Sequence, residues 1–136
     1  MLETEMIERG TKYFKSQSQI SLVRQEVPFL SRCIDIVLLD QEENLISIEF
    51  KISKWRHAIE QAKSHMLGAD KAYICLPERR VTASLVNAIQ EAGLGLLFFS
   101  TNGEEAIYEV VPAPNDKKNI PAFRDMLLVN VSRIAL

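Results

Sequence analysis

Cysteine, proline and glycine are scarce in this chain of 136 residues, and each shortage narrows the choice of structure. The two cysteines have no CxxC or Cys/His spacing around them, so we expect Cys33 and Cys75 to be reduced core residues and not metal ligands. Five prolines and five glycines are too few for a long disordered stretch. With 47% hydrophobic residues, the chain can fill one ordinary core, and we predict a single domain over residues 1–136.

Long apolar runs and an excess of positive charge are also missing. The longest apolar runs, such as residues 94–99, are too short to cross a bilayer, and the acidic first ten residues lack the apolar stretch of a signal peptide. We therefore expect a cytoplasmic protein with no membrane partner. The formal net charge is −2, so any binding of nucleic acid would depend on a local basic rim.

The hydrophobic pattern predicts an α/β domain. Helical spacing covers residues 3–16, a segment from Trp55 to Gly68 and a segment that begins after Thr82. Short apolar runs predict six strands, over 19–29, 33–40, 45–52, 71–77, 94–100 and 106–111. Helices alternate with strands only in the second half, which is typical of a mixed sheet with helices on both faces.

The C-terminal extension, residues 112–136, lies beyond a core of about 3–111. The segment 126–131, MLLVNV, fits either a strand or a short helix. The extension is rich in apolar residues, which must pack on the core or on a second copy. We predict that this apolar segment packs on a second copy to form a homodimer, with intramolecular packing as the alternative.

Three charged residues stand inside apolar strands. Asp35 lies within CIDIVLL, and Glu49 and Lys51 lie within ISIEFKI. Side chains alternate along a strand, so Glu49 and Lys51 share one face while Phe50 points to the other. If the two strands pair as a hairpin around the polar link 41–44, Asp35 comes close to Glu49. Burying an unpaired charge costs several kcal/mol, so this placement needs an explanation.

A divalent cation would explain the two neighbouring carboxylates, which otherwise repel each other. Mg²⁺ prefers oxygen ligands and is the expected ion, with Mn²⁺ as a substitute. Lys51 could then position or deprotonate an attacking water. The alternative is a structural ion-pair network of Asp35, Glu49 and Lys51 at a sheet edge.

Asp35, followed fourteen positions later by Glu49-Phe50-Lys51, resembles the Asp…Glu-x-Lys signature of the PD-(D/E)xK nuclease superfamily. The resemblance covers roughly residues 3–100. It implies a restriction-endonuclease-like fold, with a mixed β-sheet flanked by helices and an αβββαβ core. It also implies a metal-dependent phosphodiesterase or endonuclease acting on nucleic acid, above all DNA. A non-catalytic nuclease-like module that binds nucleic acid or a protein is the alternative function, and a purely structural subunit is a third.

The resemblance also implies roles for individual residues. Asp35, Glu49 and the backbone carbonyl of Phe50 would be metal ligands, and Lys51 would act on the water. Glu8 matches the acidic residue on the first helix, with Glu3 and Glu5 as rival candidates. Gln61 is similar to the glutamine of a Q-x-x-x-Y motif, whose tyrosine position is occupied here by His65.

Basic residues in or beside the same segments are candidates for contacts with phosphate groups. The positions assigned to nucleic-acid binding are Lys12, Arg32, Lys54 and Arg56. No pattern for sequence readout is present, so recognition should depend on backbone or shape. His57 and His65 fit no zinc spacing and are interpreted as surface residues.

Overall fold

The computed structural model describes residues 1–100, 107–115 and 118–133. Over these ranges, the protein forms a six-stranded mixed sheet with four helices. Its elements in chain order are α1 (Glu3–Lys15), β1 (Ile20–Phe29), β2 (Arg32–Asp40), β3 (Leu45–Phe50), α2 (Trp55–His65), β4 (Lys71–Pro77), α3 (Ala83–Glu91), β5 (Gly95–Phe99), β6 (Ile107–Val111) and α4 (Pro121–Ser132). The predicted α/β class, mixed sheet and αβββαβ core are confirmed.

The strands stand in the sheet in chain order, from β1 to β6. β3, β4 and β5 run parallel to one another, because α2 and α3 connect them, and the other neighbours are antiparallel. β1 is an edge strand, where Pro28 is tolerated because the edge does not require its missing N–H. The predicted hairpin of β2 and β3 is present, with Ile36 opposite Ile48.

The sheet separates two apolar layers. On one face, α1 packs its buried Met6 and Phe14 against a cluster that includes Ile36, Ile48 and Phe50. On the other face, α2 and α3 cover β4 and β5 with a second cluster, whose largest member is Phe98. This two-layer burial explains why the middle strands are apolar on both sides, as the sequence runs show.

Within the C-terminal extension, α4 covers the segment 126–131, which is therefore helix and not strand. Pro121 begins the helix, at a position where its missing N–H is not needed. Leu127 and Val131 are fully buried in a third cluster against β1, β2 and β3. Intramolecular packing therefore accounts for the inner side of the extension, while Met126 and Val129 remain exposed.

Two expectations about single residues are wrong. Cys33 is exposed, whereas Cys75 is buried as expected. His65 is buried and only 3% exposed, because it ends α2 on the side that faces the sheet. The predicted turn at Asn102–Gly103 lies outside the described residues. Within the described ranges, no helix is long and apolar enough to span a membrane.

Candidate metal centre

The β2–β3 hairpin brings Asp35 and Glu49 together. Continuing the register beyond Ile36 and Ile48 sets Asp35 opposite Glu49, where β2 and β3 separate toward their ends. The backbone N–H of Phe50 donates to Oδ2 of Asp35 at 2.8 Å, which holds this carboxylate against β3. The proximity predicted from the sequence is therefore present.

Burial makes the negative charge of this pair unfavourable. Glu49 is only 6% exposed, and burial followed by repulsion from Asp35 raises its pKa to about 8. Burial likewise raises the pKa of Asp35 above its ordinary value, although the Phe50 N–H partly offsets the effect. Without a counter-charge, the pair retains at least one proton near neutral pH.

Lys51 lies directly after β3, where its backbone is tied to the neighbouring strand. Its N–H donates to the carbonyl of Cys75 at 3.1 Å, and its side chain is half-buried. The positive charge of Lys51 lowers the pKa of both carboxyl groups, so the ammonium lies close enough to act on them. Phe50 points to the opposite face, as predicted, and contacts α1 at Gly10, where an added Cβ would stand 3.0 Å from its ring.

Helix α1 brings Glu3, and not Glu8, to the centre. Oε2 of Glu3 lies 3.5 Å from the backbone nitrogen of Ile52, and its charge acts on both carboxylates. Glu8 lies five residues further along, about 140° around the helix axis, where it lines a groove with Glu5. The helical phase was the missed signal, since Glu3 continues the buried stripe of Met6 and Gly10.

Helix α2 places Gln61 between Glu49 and Arg32. With its amide oriented to suit both neighbours, the Gln61 side-chain nitrogen donates to Oε2 of Glu49 at 3.1 Å and its oxygen accepts from Nη1 of Arg32 at 3.2 Å. One turn later, His65 faces inward, and burial followed by the positive charge of Arg32 lowers its pKa to about 4. His65 is therefore uncharged near neutral pH and does not add to the basic rim.

Two clefts flank the first half of α2. One, of about 260 Å³, is lined by Arg32, His57, Glu60, Gln61 and Ser64. The other, of about 580 Å³, lies beyond Lys51 and is lined by Ile52, Ser53, Lys54, Trp55, Arg56, His57 and Arg79. His57 lines both, so the clefts adjoin. Three of the four basic residues predicted to contact phosphate, Arg32, Lys54 and Arg56, therefore line these adjoining clefts.

Lys12, the fourth predicted basic residue, has a different environment. It lines a groove on α1 together with Glu5, Glu8 and Arg9. Two acidic neighbours offset its charge, so the local potential there is not strongly positive. Arg56, by contrast, stacks on the Trp55 ring with its guanidinium carbon 4.3 Å from the ring centroid, and it also donates to Ser84.

The groups around the Asp35–Glu49 pair offer oxygen ligands for a divalent cation. Oε1 of Glu49 is buried and has no hydrogen-bond partner among the described residues. The structure within the described ranges has no convergent group of three His, Cys, Asp or Glu side chains. Two carboxylates, with the remaining positions left to backbone, water and substrate oxygens, are a donor set that suits Mg²⁺. An all-protein cage for zinc or calcium is not what these residues form.

Solved structures with a similar fold include nucleases. A protein of unknown function from Silicibacter pomeroyi, SPO1766, superposes with a TM-score of 0.67 at 18% identity, over 97% of this chain and 85% of that one. A repair endonuclease from Pyrococcus abyssi gives a TM-score of 0.51 at 15% identity, over 69% and 44% of the two chains. EndoMS in complex with double-stranded DNA gives 0.50 at 14% identity, over 76% and 45%.

These likenesses concern the fold. No protein-family model and no curated protein matches the sequence. The chain spans less than half the length of the repair endonuclease and of EndoMS, so it corresponds to one part of each. The chain has a nuclease-like α/β fold, with its carboxylate pair on the β2–β3 hairpin.

Proposed function

We propose that this protein is a Mg²⁺-dependent phosphodiesterase of the PD-(D/E)xK type that cleaves nucleic acid, with DNA as its substrate. The observation that carries the proposal is the buried Asp35–Glu49 pair, in which one carboxylate oxygen has no partner among the described residues. A structural ion pair would satisfy its charges, whereas burial raises the pKa of both groups and the charge of Asp35 raises that of Glu49 further. Fixed unfavourable charge of this kind is typical of functional sites.

Each residue of the pair has an assigned role in the proposal. Asp35 and Glu49 would hold the cation, together with the backbone carbonyl of Phe50. When bound there, Mg²⁺ or Mn²⁺ would neutralise charge on the phosphate and on the leaving oxygen. Glu3 replaces Glu8 as the α1 residue that would complete the site through water, because its charge acts on both carboxylates.

Lys51 and Gln61 would act on either side of this pair. The Lys51 ammonium acts electrostatically on Glu49 and would orient the attacking water. Gln61 donates to Oε2 of Glu49 and so would fix the direction of that carboxylate. The backbones of both residues are held in place, that of Gln61 within α2 and that of Lys51 by its hydrogen bond to Cys75 on β4.

DNA as the substrate is supported by the adjoining clefts and by the neighbours. Lys54, Arg56 and Arg79 line one wall beyond Lys51, and Arg32 lines the other. Together these cations could neutralise phosphates on both sides of the scissile bond, although the formal net charge of the chain is −2. Two solved neighbours are an endonuclease and a complex with double-stranded DNA.

A cleavage panel tests the proposal directly. Duplex, branched and single-stranded DNA, and matching RNA, are incubated with Mg²⁺, Mn²⁺ or EDTA. We expect cutting of at least one DNA form with either metal, none with EDTA, and none by Glu49→Gln. Glu42→Gln is the matched control, since Glu42 is exposed at the opposite end of the same hairpin. Cutting by Glu49→Gln at the wild-type rate would refute the assignment.

A non-catalytic nuclease-like module is the second candidate. The observation that favours it is that no group of three or more His, Cys, Asp or Glu side chains within the described ranges is placed to hold a metal ion directly. Such a module would bind DNA through Lys54 and Arg56 without cutting it. DNA binding by wild type that is unchanged by Mg²⁺, with no cleavage of any form, would select this candidate.

A further inference from the structure

Arg32, at the start of β2, is linked to the carboxylate pair through one intermediate side chain. Its Nη1 donates to the Gln61 oxygen at 3.2 Å, and the Gln61 nitrogen donates to Oε2 of Glu49 at 3.1 Å. The two partners define the orientation of the amide, since the reverse would set oxygen against carboxylate and nitrogen against guanidinium. Two directed hydrogen bonds therefore run from an exposed arginine to a buried glutamate.

These two hydrogen bonds determine which oxygen of Glu49 is engaged. Gln61 engages Oε2, and Oε1 is left buried with no partner among the described residues. Without Arg32, the Gln61 amide could rotate and present either end to Glu49. The guanidinium of Arg32 also polarises the Gln61 amide, which strengthens the hydrogen bond that the amide donates to Glu49. Linked hydrogen bonds reinforce one another in a low-dielectric site.

The guanidinium of Arg32 is directed toward α2. Its charge acts on the buried His65, one helical turn from Gln61. This direction fits a role within the site better than a role confined to the surface.

We propose that Arg32 is a positioning residue that acts through Gln61 to hold the Glu49 carboxylate with one oxygen bonded and the other open to a cation. The inference rests on the proposed function for the identity of the cation, and on the hydrogen-bond chain alone for the positioning. It differs from the role of a phosphate contact predicted for Arg32 from the sequence. A simple phosphate contact would influence DNA binding and leave metal binding unchanged.

The first measurement uses the metal-free protein and does not require activity. The side-chain NH₂ resonances of Gln61 are assigned by NMR through their loss in Gln61→Leu. We expect Arg32→Met to move these resonances toward the values of a free amide and to speed their exchange with water. Arg32→Lys should restore part of the shift. Arg24→Met is the matched control, because the Arg24 side chain lies on β1 and donates to the carbonyl of its neighbour Val23. Unchanged Gln61 resonances in Arg32→Met would overturn the inference.

The second measurement is Mn²⁺ affinity by calorimetry. Loss of a residue that orients a metal ligand weakens binding by about tenfold or more, so we expect that loss in both Arg32→Met and Gln61→Leu. The double variant should be no weaker than Gln61→Leu, because Arg32 acts through Gln61. Fully additive losses would contradict the relay. If wild type binds no Mn²⁺, the proposed function fails, while the NMR result still decides the positioning of Gln61.

Discussion

Asp70 and Glu49 are both buried acidic residues of the same sheet, yet their surroundings are opposite. Asp70 precedes β4 and accepts hydrogen bonds from the Leu45 N–H, the Asn119 amide and Arg124, which bonds both oxygens at 3.0 Å. Burial by itself would raise the pKa of Asp70, but these bonds outweigh it and hold the pKa below its ordinary value. Glu49 has one amide partner and a carboxylate neighbour, and its pKa is raised to about 8.

The contrast separates a structural carboxylate from one that is suited to bind something else. Around Asp70, every available oxygen is engaged and the ion pair ties α4 to the core. At Glu49, Oε1 has no hydrogen-bond partner among the described residues, and the charge of Asp35 raises the pKa of Glu49 further. Buried carboxylates with raised pKa values are typical of functional sites, so the second arrangement fits the proposed metal site.

The largest expected effect concerns catalysis. Lys51→Met should lower the cleavage rate more than about a hundredfold while DNA affinity changes little, because the lysine is assigned to the attacking water. Lys71→Met, at the opposite end of the parallel strand pair, should cut normally. Rates and binding are measured by gel assay and fluorescence anisotropy. Cleavage by Lys51→Met at the wild-type rate would contradict the role assigned to Lys51 at the Asp35–Glu49 pair.

Stability should respond in opposite directions at the two carboxylates. Arg124→Met leaves Asp70 buried without its charge partner, and we expect a loss of about 3 kcal/mol in the free energy of unfolding. Glu49→Gln removes an unfavourable buried charge, so the metal-free protein should be more stable at pH 8, by about 1 kcal/mol or more. Urea unfolding in EDTA measures both. Destabilisation by Glu49→Gln at pH 8 would indicate that the carboxylate is structural.

The pH dependence of stability follows from the same pKa shifts. Glu49 is protonated more strongly in the folded state, so metal-free stability should fall as pH rises from about 4.5 to about 8, by up to about 1.4 kcal/mol per pH unit. Asp70 contributes the opposite pH dependence. Because its pKa is lowered in the folded state, it stabilises the fold at pH values above its ordinary pKa, and this stability is lost in acid. Thermal unfolding measured across pH should show both effects in the wild type. Glu49→Gln should remove the loss of stability at alkaline pH, and Arg124→Met should remove the loss in acid.

Cation binding should offset the loss of stability that the metal-free protein shows as pH rises. Because the carboxylate pair must release a proton to bind a cation, Mn²⁺ should raise the melting temperature more at pH 8 than at pH 6. Asp35→Asn should abolish this rise in melting temperature. Asp70→Asn should lower the melting temperature of the metal-free protein but leave the rise caused by Mn²⁺ in place. A Mn²⁺ effect that is equal at the two pH values would argue against binding at the pair.

The smallest effect on the fold is expected at the outer side of α4. Met126 and Val129 are 42% and 51% exposed, and we propose that they form part of a homodimer interface. Val129→Lys should convert a dimer to a monomer in light scattering, with a change of less than about 0.5 kcal/mol in the stability of the subunit. A wild-type protein that is monomeric at micromolar concentration would refute the dimer.

The sequence by itself determined the fold and the central pair. Alternation of apolar residues and short polar links specify strands and helices locally, so the element order, the hairpin and the shared face of Glu49 and Lys51 could be predicted. The resemblance added Gln61, which the structure indeed sets against Glu49.

Only the tertiary structure decided which distant side chains meet. Glu3 in place of Glu8 depends on how α1 is rotated against Phe50, and the Arg32–Gln61 contact depends on the angle between β2 and α2. The Asp70–Arg124 pair joins residues 54 positions apart, and no local pattern marks them as partners. Local periodicity fixes which face a residue occupies, whereas contacts across elements depend on how whole elements pack, and packing is a property of the assembled core.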